Sequence, residues 1–125
     1  SVAQLQLHLI AEQAAVDLEN TVGLNAAAPA YAAAQRQWRD NLTALVGLGN
    51  AAYQRRDLVS AQQWLAMAAE KHPQSAVAAN NLAQVLLEQG DLAHAFIWAQ
   101  KAVLADGGAP AKDTLQQVLH ALHAQ

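Results

Sequence analysis

Residues 44–73 read ALVGLGNAAYQRRDLVSAQQWLAMAAEKHP, and residues 78–107 read AANNLAQVLLEQGDLAHAFIWAQKAVLADG. Laid over each other at an offset of 34 positions, they put Ala44 on Ala78, Leu48 on Leu82 and Asp57-Leu58 on Asp91-Leu92. Further along, Ala61 meets Ala95, Trp64 meets Trp98 and Ala68 meets Ala102. The alanine matches weigh little in a chain that is roughly a quarter alanine. Trp on Trp and Asp-Leu on Asp-Leu carry the comparison. Self-similarity at a fixed period of this length marks a helical array, in which each unit hides its apolar face only against its neighbours.

The composition agrees with an all-α chain. Of 125 residues, enough for one domain, 54% are hydrophobic, 14% charged and 5% aromatic. Ala and Leu rank high in helix propensity, and small side chains let helix axes come close. A net charge of −3 without a basic cluster lacks the footprint that phosphate neutralisation requires, so no nucleic-acid partner is expected. With no cysteine there is no disulfide framework and no thiolate metal site. No apolar run approaches the ~20 residues of a membrane span, and no basic start with a short apolar core marks a leader. The chain opens at Ser1 without Met, already in a helical pattern, and is expected to be a piece of a longer protein.

Read in order, Val2 to Asn20 is a long helix with two apolar stripes, one through Leu5, Leu9 and Val16, the other through Leu7, Ile10 and Leu18. Two stripes exceed one packing surface. Either this helix is well buried, or part of it covered a preceding domain or a second copy. Thr21 to Ala28 reads as a turn region and Pro29 to Trp38 as the next helix, starting late because a proline beyond the first turn removes a backbone bond. Extended backwards, the register sets Ala27 and Ala34 under Ala61 and Ala68. Residues 1–40 thus form a degenerate first repeat.

Asn41, Asp57, Ser75 and Asp91 are expected N-caps, for helices over Leu42–Gln54, Leu58–Lys71, Ala76–Gln89 and Leu92–Ala105. His72-Pro73 and Asp106-Gly107-Gly108 separate the units, and Gly90 supplies a positive φ. Pro110 opens a last helix to about His123, at the first helical position that proline favours. The units are therefore 41–74 and 75–108, with 109–125 as a capping helix: seven helices in three hairpins plus a cap.

The segment from Ala44 to Pro73 resembles the tetratricopeptide repeat (TPR). Leu45 stands where the pattern prefers Trp, followed by Leu48 and Gly49; the next aromatic comes one residue late as Tyr53, then Ala61, Leu65 and Pro73 follow. From Ala78 the match is Leu82, Ala83, Leu86, Gly90-Asp91, Ala95 and Ala102, with Gly107 in place of the final Pro. The resemblance implies an α-solenoid of about three antiparallel hairpins. Gly47-Leu48-Gly49-Asn50-Ala51 and Asn80-Asn81-Leu82-Ala83 also look like repeats that follow a papain-like cysteine peptidase domain in some exported bacterial proteins. That second resemblance implies an exported or periplasmic setting.

In such solenoids the first helix of each hairpin lines a concave groove. Its phase here would show Glu12, Gln13, Val16, Val46, Asn50, Tyr53, Asn80, Asn81, Gln84 and Glu88. The spacing of Asn50 and Asn81 resembles the asparagine pair that holds an extended peptide in peptide-binding members. An Asn amide offers donor and acceptor together, as a peptide bond requires. Members that clamp a terminal carboxylate carry basic residues where Val46 and Leu115 stand here, so acidic tails fit poorly. The bland alternative is that these asparagines cap turns or bond neighbouring helices.

Other candidates are weaker. Trp64 and Trp98 share a phase that suits inter-repeat packing, the alternative being exposed anchors. His120 and His123 share a helix face, but no carboxylate lies one turn away and zinc needs three or four ligands; no metal and no cofactor is expected. Ser60 and Ser75 sit where helices start and lack a histidine at helical spacing, so no catalytic residue is assigned. Arg55-Arg56 reads as a solvated turn. The expectation is a non-catalytic module binding an extended peptide or partner protein in the groove. Alternatives are a scaffold or homo-oligomer joined through the N-terminal helix, and the regulatory half of a larger bacterial enzyme such as a cysteine peptidase.

Overall fold

The computed structural model describes Gln13, Val16, Glu19, residues 23–37 and residues 39–125. Among the described residues six helices follow one another without a strand: α1 (Leu24–Gln37), α2 (Leu42–Gln54), α3 (Leu58–Lys71), α4 (Ala76–Glu88), α5 (Leu92–Leu104) and α6 (Gly108–His123). Gln13, Val16 and Glu19 are helical as well. The rest of the helix expected over Val2–Asn20 lies outside the described residues. The sequence period reappears in the helix starts, since α1, α3 and α5 begin at Leu24, Leu58 and Leu92.

Caps set those starts. Asn41 Oδ1 accepts from the Ala44 amide at 2.8 Å, and Asp57 Oδ1 from Ser60 at 3.1 Å. Ser75 Oγ accepts from Ala78 at 3.1 Å and Asp91 Oδ1 from His94 at 3.3 Å. Each bond serves an amide that a helix start leaves unpaired. The ends share one device too. Arg56, Gly90 and Asp106 take left-handed φ values of 64°, 82° and 64°. The amide just beyond each reaches back five residues: Asp57 to Ala52 at 2.9 Å, Asp91 to Leu86 at 3.0 Å, Gly107 to Ala102 at 3.0 Å. Asp57 and Asp91 therefore close one helix with their N–H and open the next with their carboxylate.

Four boundaries depart from the sequence reading. α1 begins at Leu24 rather than Pro29, which occupies its interior. Gly23, at φ 97°, donates to Glu19 C=O at 3.0 Å and accepts from Ala27 N–H at 3.2 Å, so it joins Glu19 to the start of α1. Pro29 forfeits one helical bond, but its ring is exposed, while Ala27, Tyr31 and Ala34 anchor the opposite face at 0, 2 and 5% exposure. α4 and α5 stop one residue early, at Glu88 and Leu104. α6 starts at Gly108, leaving Pro110 in the first turn, where its missing N–H breaks no intrahelical bond.

Each helix packs on the next, and the first helices of successive hairpins also touch, α2 on α4 and α4 on α6. No comparable contact joins α3 and α5. This is an open, curved stack. Its crossings are built from small residues: Ala61, Ala68, Ala83, Ala95 and Ala102 are wholly buried. A Cβ on Gly49 would lie 2.5 Å from Leu65, and one on Gly47 2.5 Å from the Tyr31 ring. Leu48 packs on Ala27 and Tyr31, Leu82 is in the main core, and Pro73 is exposed in the α3–α4 turn. Trp64 and Trp98 both lie half-buried against the same core.

Overpacking one crossing tests this packing. Ala61→Leu is expected to cost about 1–3 kcal/mol, read as a lower urea midpoint with an unchanged slope. Gly90→Ala, whose new methyl has nothing within 4 Å, is expected to cost about 1 kcal/mol from backbone strain alone.

Candidate functional site

Because α2 and α4 lie side by side, with the helical turn of Val16 and Glu19 beyond α2, the first helices bound two adjoining cavities. One, of about 370 Å³, lies among Val16, Glu19, Tyr31, Val46 and Asn50. The other, of about 350 Å³, lies among Glu19, Asn50, Tyr53, Asn81 and Gln84. Glu19 and Asn50 border both. The two together form one channel along the first-helix face.

Its polar groups are ordered by one another. Asn81 Nδ2 donates to Asn50 Oδ1 at 2.9 Å, tying α4 to α2. By strict repeat register Asn50 corresponds to Gln84, and Asn81 lies one helical turn before Gln84. Gln84 instead donates to Thr114 Oγ1 at 3.3 Å, and that hydroxyl donates to Pro110 C=O at 3.0 Å. At the far end the Tyr53 hydroxyl donates to Glu88 Oε1 at 2.8 Å. Arg56 Nη1 lies 3.0 Å from Glu88 Oε2, and its guanidinium stands 5.3 Å from the Tyr53 ring centre. Arg56 is thus more than the solvated turn residue that the sequence suggests: it steadies Tyr53 and Glu88. The Tyr31 hydroxyl donates to Glu19.

Once the amide pair has formed, the Asn50 NH₂ and the Asn81 carbonyl oxygen have no other partner among the described residues. One site therefore offers donors, the other an acceptor. Val46 keeps one wall apolar, Glu19 is the bordering carboxylate, and beyond Tyr53 Glu88 and Arg56 are committed to each other.

Three of the residues assigned to the groove do not border it: Asn80, Gln13 and Glu88, the last reached only through Tyr53. Asn80 is 8% exposed, lines neither cavity, and its Oδ1 has no partner. Consecutive helical residues point about 100° apart, so Asn80 and Asn81 cannot both face the channel. Gln13 is exposed but borders neither cavity. Glu12 lies outside the described residues. Sequence reasoning passed over Glu19, Tyr31 and Thr114. The available signal was Gly47, since a glycine inside a helix is costly and here it admits the Tyr31 ring.

Both tyrosines of the chain are held as phenols. Burial, then the bond and repulsion from Glu19, raise Tyr31 far above its ordinary value. The bond to Glu88, then burial, raises Tyr53, against an opposing pull from Arg56. A raised folded value favours the neutral form. The contribution is therefore complete below the ordinary pKa of 10.0 and lost as pH climbs through the folded values. Tyrosinate absorbance is accordingly expected later in the folded chain than in urea, and Glu88→Ala is expected to bring the Tyr53 step back toward 10.0.

Comparison with solved structures finds the same arrangement. The first TPR of Spaghetti (RPAP3) bound to HSP90 peptide SRMEEVD superposes with a TM-score of 0.83 at 13% identity, over 94% of each chain. The first TPR domain of human RPAP3 gives 0.81 at 12%, over 94% of this chain and 93% of that one. The Sgt2 TPR domain from Aspergillus fumigatus gives 0.82 at 15%, over 93% and 79%. At such identities the likeness is one of fold. No curated protein matches the sequence. The tetratricopeptide repeat family model, however, matches residues 13–76 and again residues 65–110. With the 34-residue period, the shared caps and the stacked hairpins, that match makes this chain a member of the tetratricopeptide repeat family.

Proposed function

We propose that the chain is a non-catalytic interaction module that holds an extended segment of a partner protein in the first-helix channel. The observation carrying this reading is the Asn50–Asn81 pair, joined across α2 and α4 at 2.9 Å. Each amide fixes the other's rotamer, so little side-chain entropy remains to be lost on binding. The unused Asn50 donors and Asn81 acceptor suit the C=O and N–H of a peptide backbone. Val46 and Tyr53 would receive apolar side chains on either side.

The charge of the channel indicates which segments fit. Among the described residues Glu19 is the one charged group on its border, and the Glu88–Arg56 pair beyond Tyr53 adds no net charge. A neutral or mildly basic segment is favoured, and a strongly acidic tail is repelled. This chain would differ in that respect from its structural neighbour, which was solved with the acidic peptide SRMEEVD.

Immobilised peptides of neutral, basic and acidic composition, probed with the whole chain, test the reading. The strongest neutral or basic binder is expected to lose roughly five- to ten-fold in affinity with Asn50→Ala or Asn81→Ala, the scale of one or two hydrogen bonds, with the helical circular dichroism spectrum retained. SRMEEVD is expected to bind at least ten-fold more weakly than that peptide. Equal binding of SRMEEVD, or indifference to both substitutions, would overturn the proposal.

A further inference from the structure

The second helices part where the first helices meet. Between the C-terminal ends of α3 and α5 lies a cleft of about 850 Å³, bordered by Glu70, Pro73, Trp98, Lys101, Leu104 and Asp106. It is larger than either first-helix cavity, and the first-helix channel does not include it. Trp98 is half-buried in it, and Leu104 is 85% exposed at its edge.

The internal repeat explains why this cleft is open. One unit earlier Trp64 stands for Trp98, His72 for Asp106 and Asp40 for Gln74. There the His72 ring nitrogen Nε2 donates to the Asp40 carbonyl, bridging the space between the two turns. Asp106 is a carboxylate and cannot donate to a carbonyl, and no bond joins it to Gln74 among the described residues. The replacement of His by Asp therefore removes the bridge and adds a negative charge at the same place.

The charges around the cleft are uneven in their commitments. Lys101 is its one bordering cation, and its ammonium sits 4.3 Å from the centre of the Trp98 ring. Glu70 and Asp106 make no ion pair among the described residues. Two unpaired carboxylates thus flank an indole and an aliphatic edge. An interface residue that is both apolar and beside a cation meets all of these groups.

We propose that this cleft is a second docking site, separate from the first-helix channel, which takes a short partner-protein segment carrying an aromatic or aliphatic anchor next to arginine or lysine. The anchor lies against Trp98 and Leu104, and the cation meets Glu70 and Asp106. Occupancy of the channel is not required, so the two sites fail independently.

The test is a nitrogen-15 chemical-shift titration of the whole chain. The probe is a synthetic peptide alternating arginine with phenylalanine and leucine; its counterpart carries glutamate for every arginine. Saturable shifts of the Trp98 indole N–H and the Leu104 amide are expected with the basic peptide alone. Glu70→Gln with Asp106→Asn, which keeps a residue tolerant of positive φ, is expected to weaken binding at least ten-fold with the rest of the spectrum intact. Asn50→Ala is expected to leave this titration unchanged. Equal shifts with both peptides, no shift at Trp98, or loss of binding in Asn50→Ala would each overturn the proposal. So would a molecular mass that rises with concentration and returns to the monomer in Leu104→Ser, which would assign the cleft to a second copy.

Discussion

Two helix axes approach only as closely as the side chains between them permit, and the hairpin crossings here are lined with buried alanine and glycine. Ala27, Ala61 and Ala95 recur at one level and Ala34, Ala68 and Ala102 at another, all buried. Gly47 and Gly49 relieve α2 where Tyr31 and Leu65 press against it. Larger groups at these points would separate the helices, because interiors at close-packed density do not yield. Close crossings draw α2 against α4 and α4 against α6. That contact brings Asn50 within hydrogen-bond reach of Asn81.

The repeat was legible because like residues do like work. Trp64 and Trp98 pack on one core, and Asp57 and Asp91 cap successive helices by the same bond. The start of α1 was hidden by Pro29, whose cost is local, whereas the burial of Ala27, Tyr31 and Ala34 that outweighs it is tertiary. The site was legible in part. Asn50, Tyr53, Asn81 and Gln84 all border the channel. The alternative that the asparagines bond neighbouring helices holds for Asn50 and Asn81, but the pairings were not legible, because each bond joins positions the repeat does not equate: Asn50 to Asn81, Tyr53 to Glu88, Gln84 to Thr114. Asn80 shows the converse difficulty. A helix turns by too large an angle per residue for adjacent asparagines to share a role.

The two faces of the stack use different chemistry. On the first-helix side neutral amides bond across neighbouring units, and the one guanidinium is tied to Glu88. On the second-helix side the units diverge, an indole is left half-covered, and among the described residues Glu70 and Asp106 make no ion pair. Both follow from curvature: helices on the inner side converge and complete each other's bonds, while those on the outer side spread and leave gaps. A single substitution between repeats, His72 against Asp106, decides whether such a gap is bridged.

An interior assembled largely from methyl groups also has a thermal consequence. The heat capacity gained when a chain unfolds grows with the greasy area newly wetted, and alanine contributes less of it than leucine or phenylalanine. The curve of folding free energy against temperature is then shallow, flattened at its top and slow to fall on either flank.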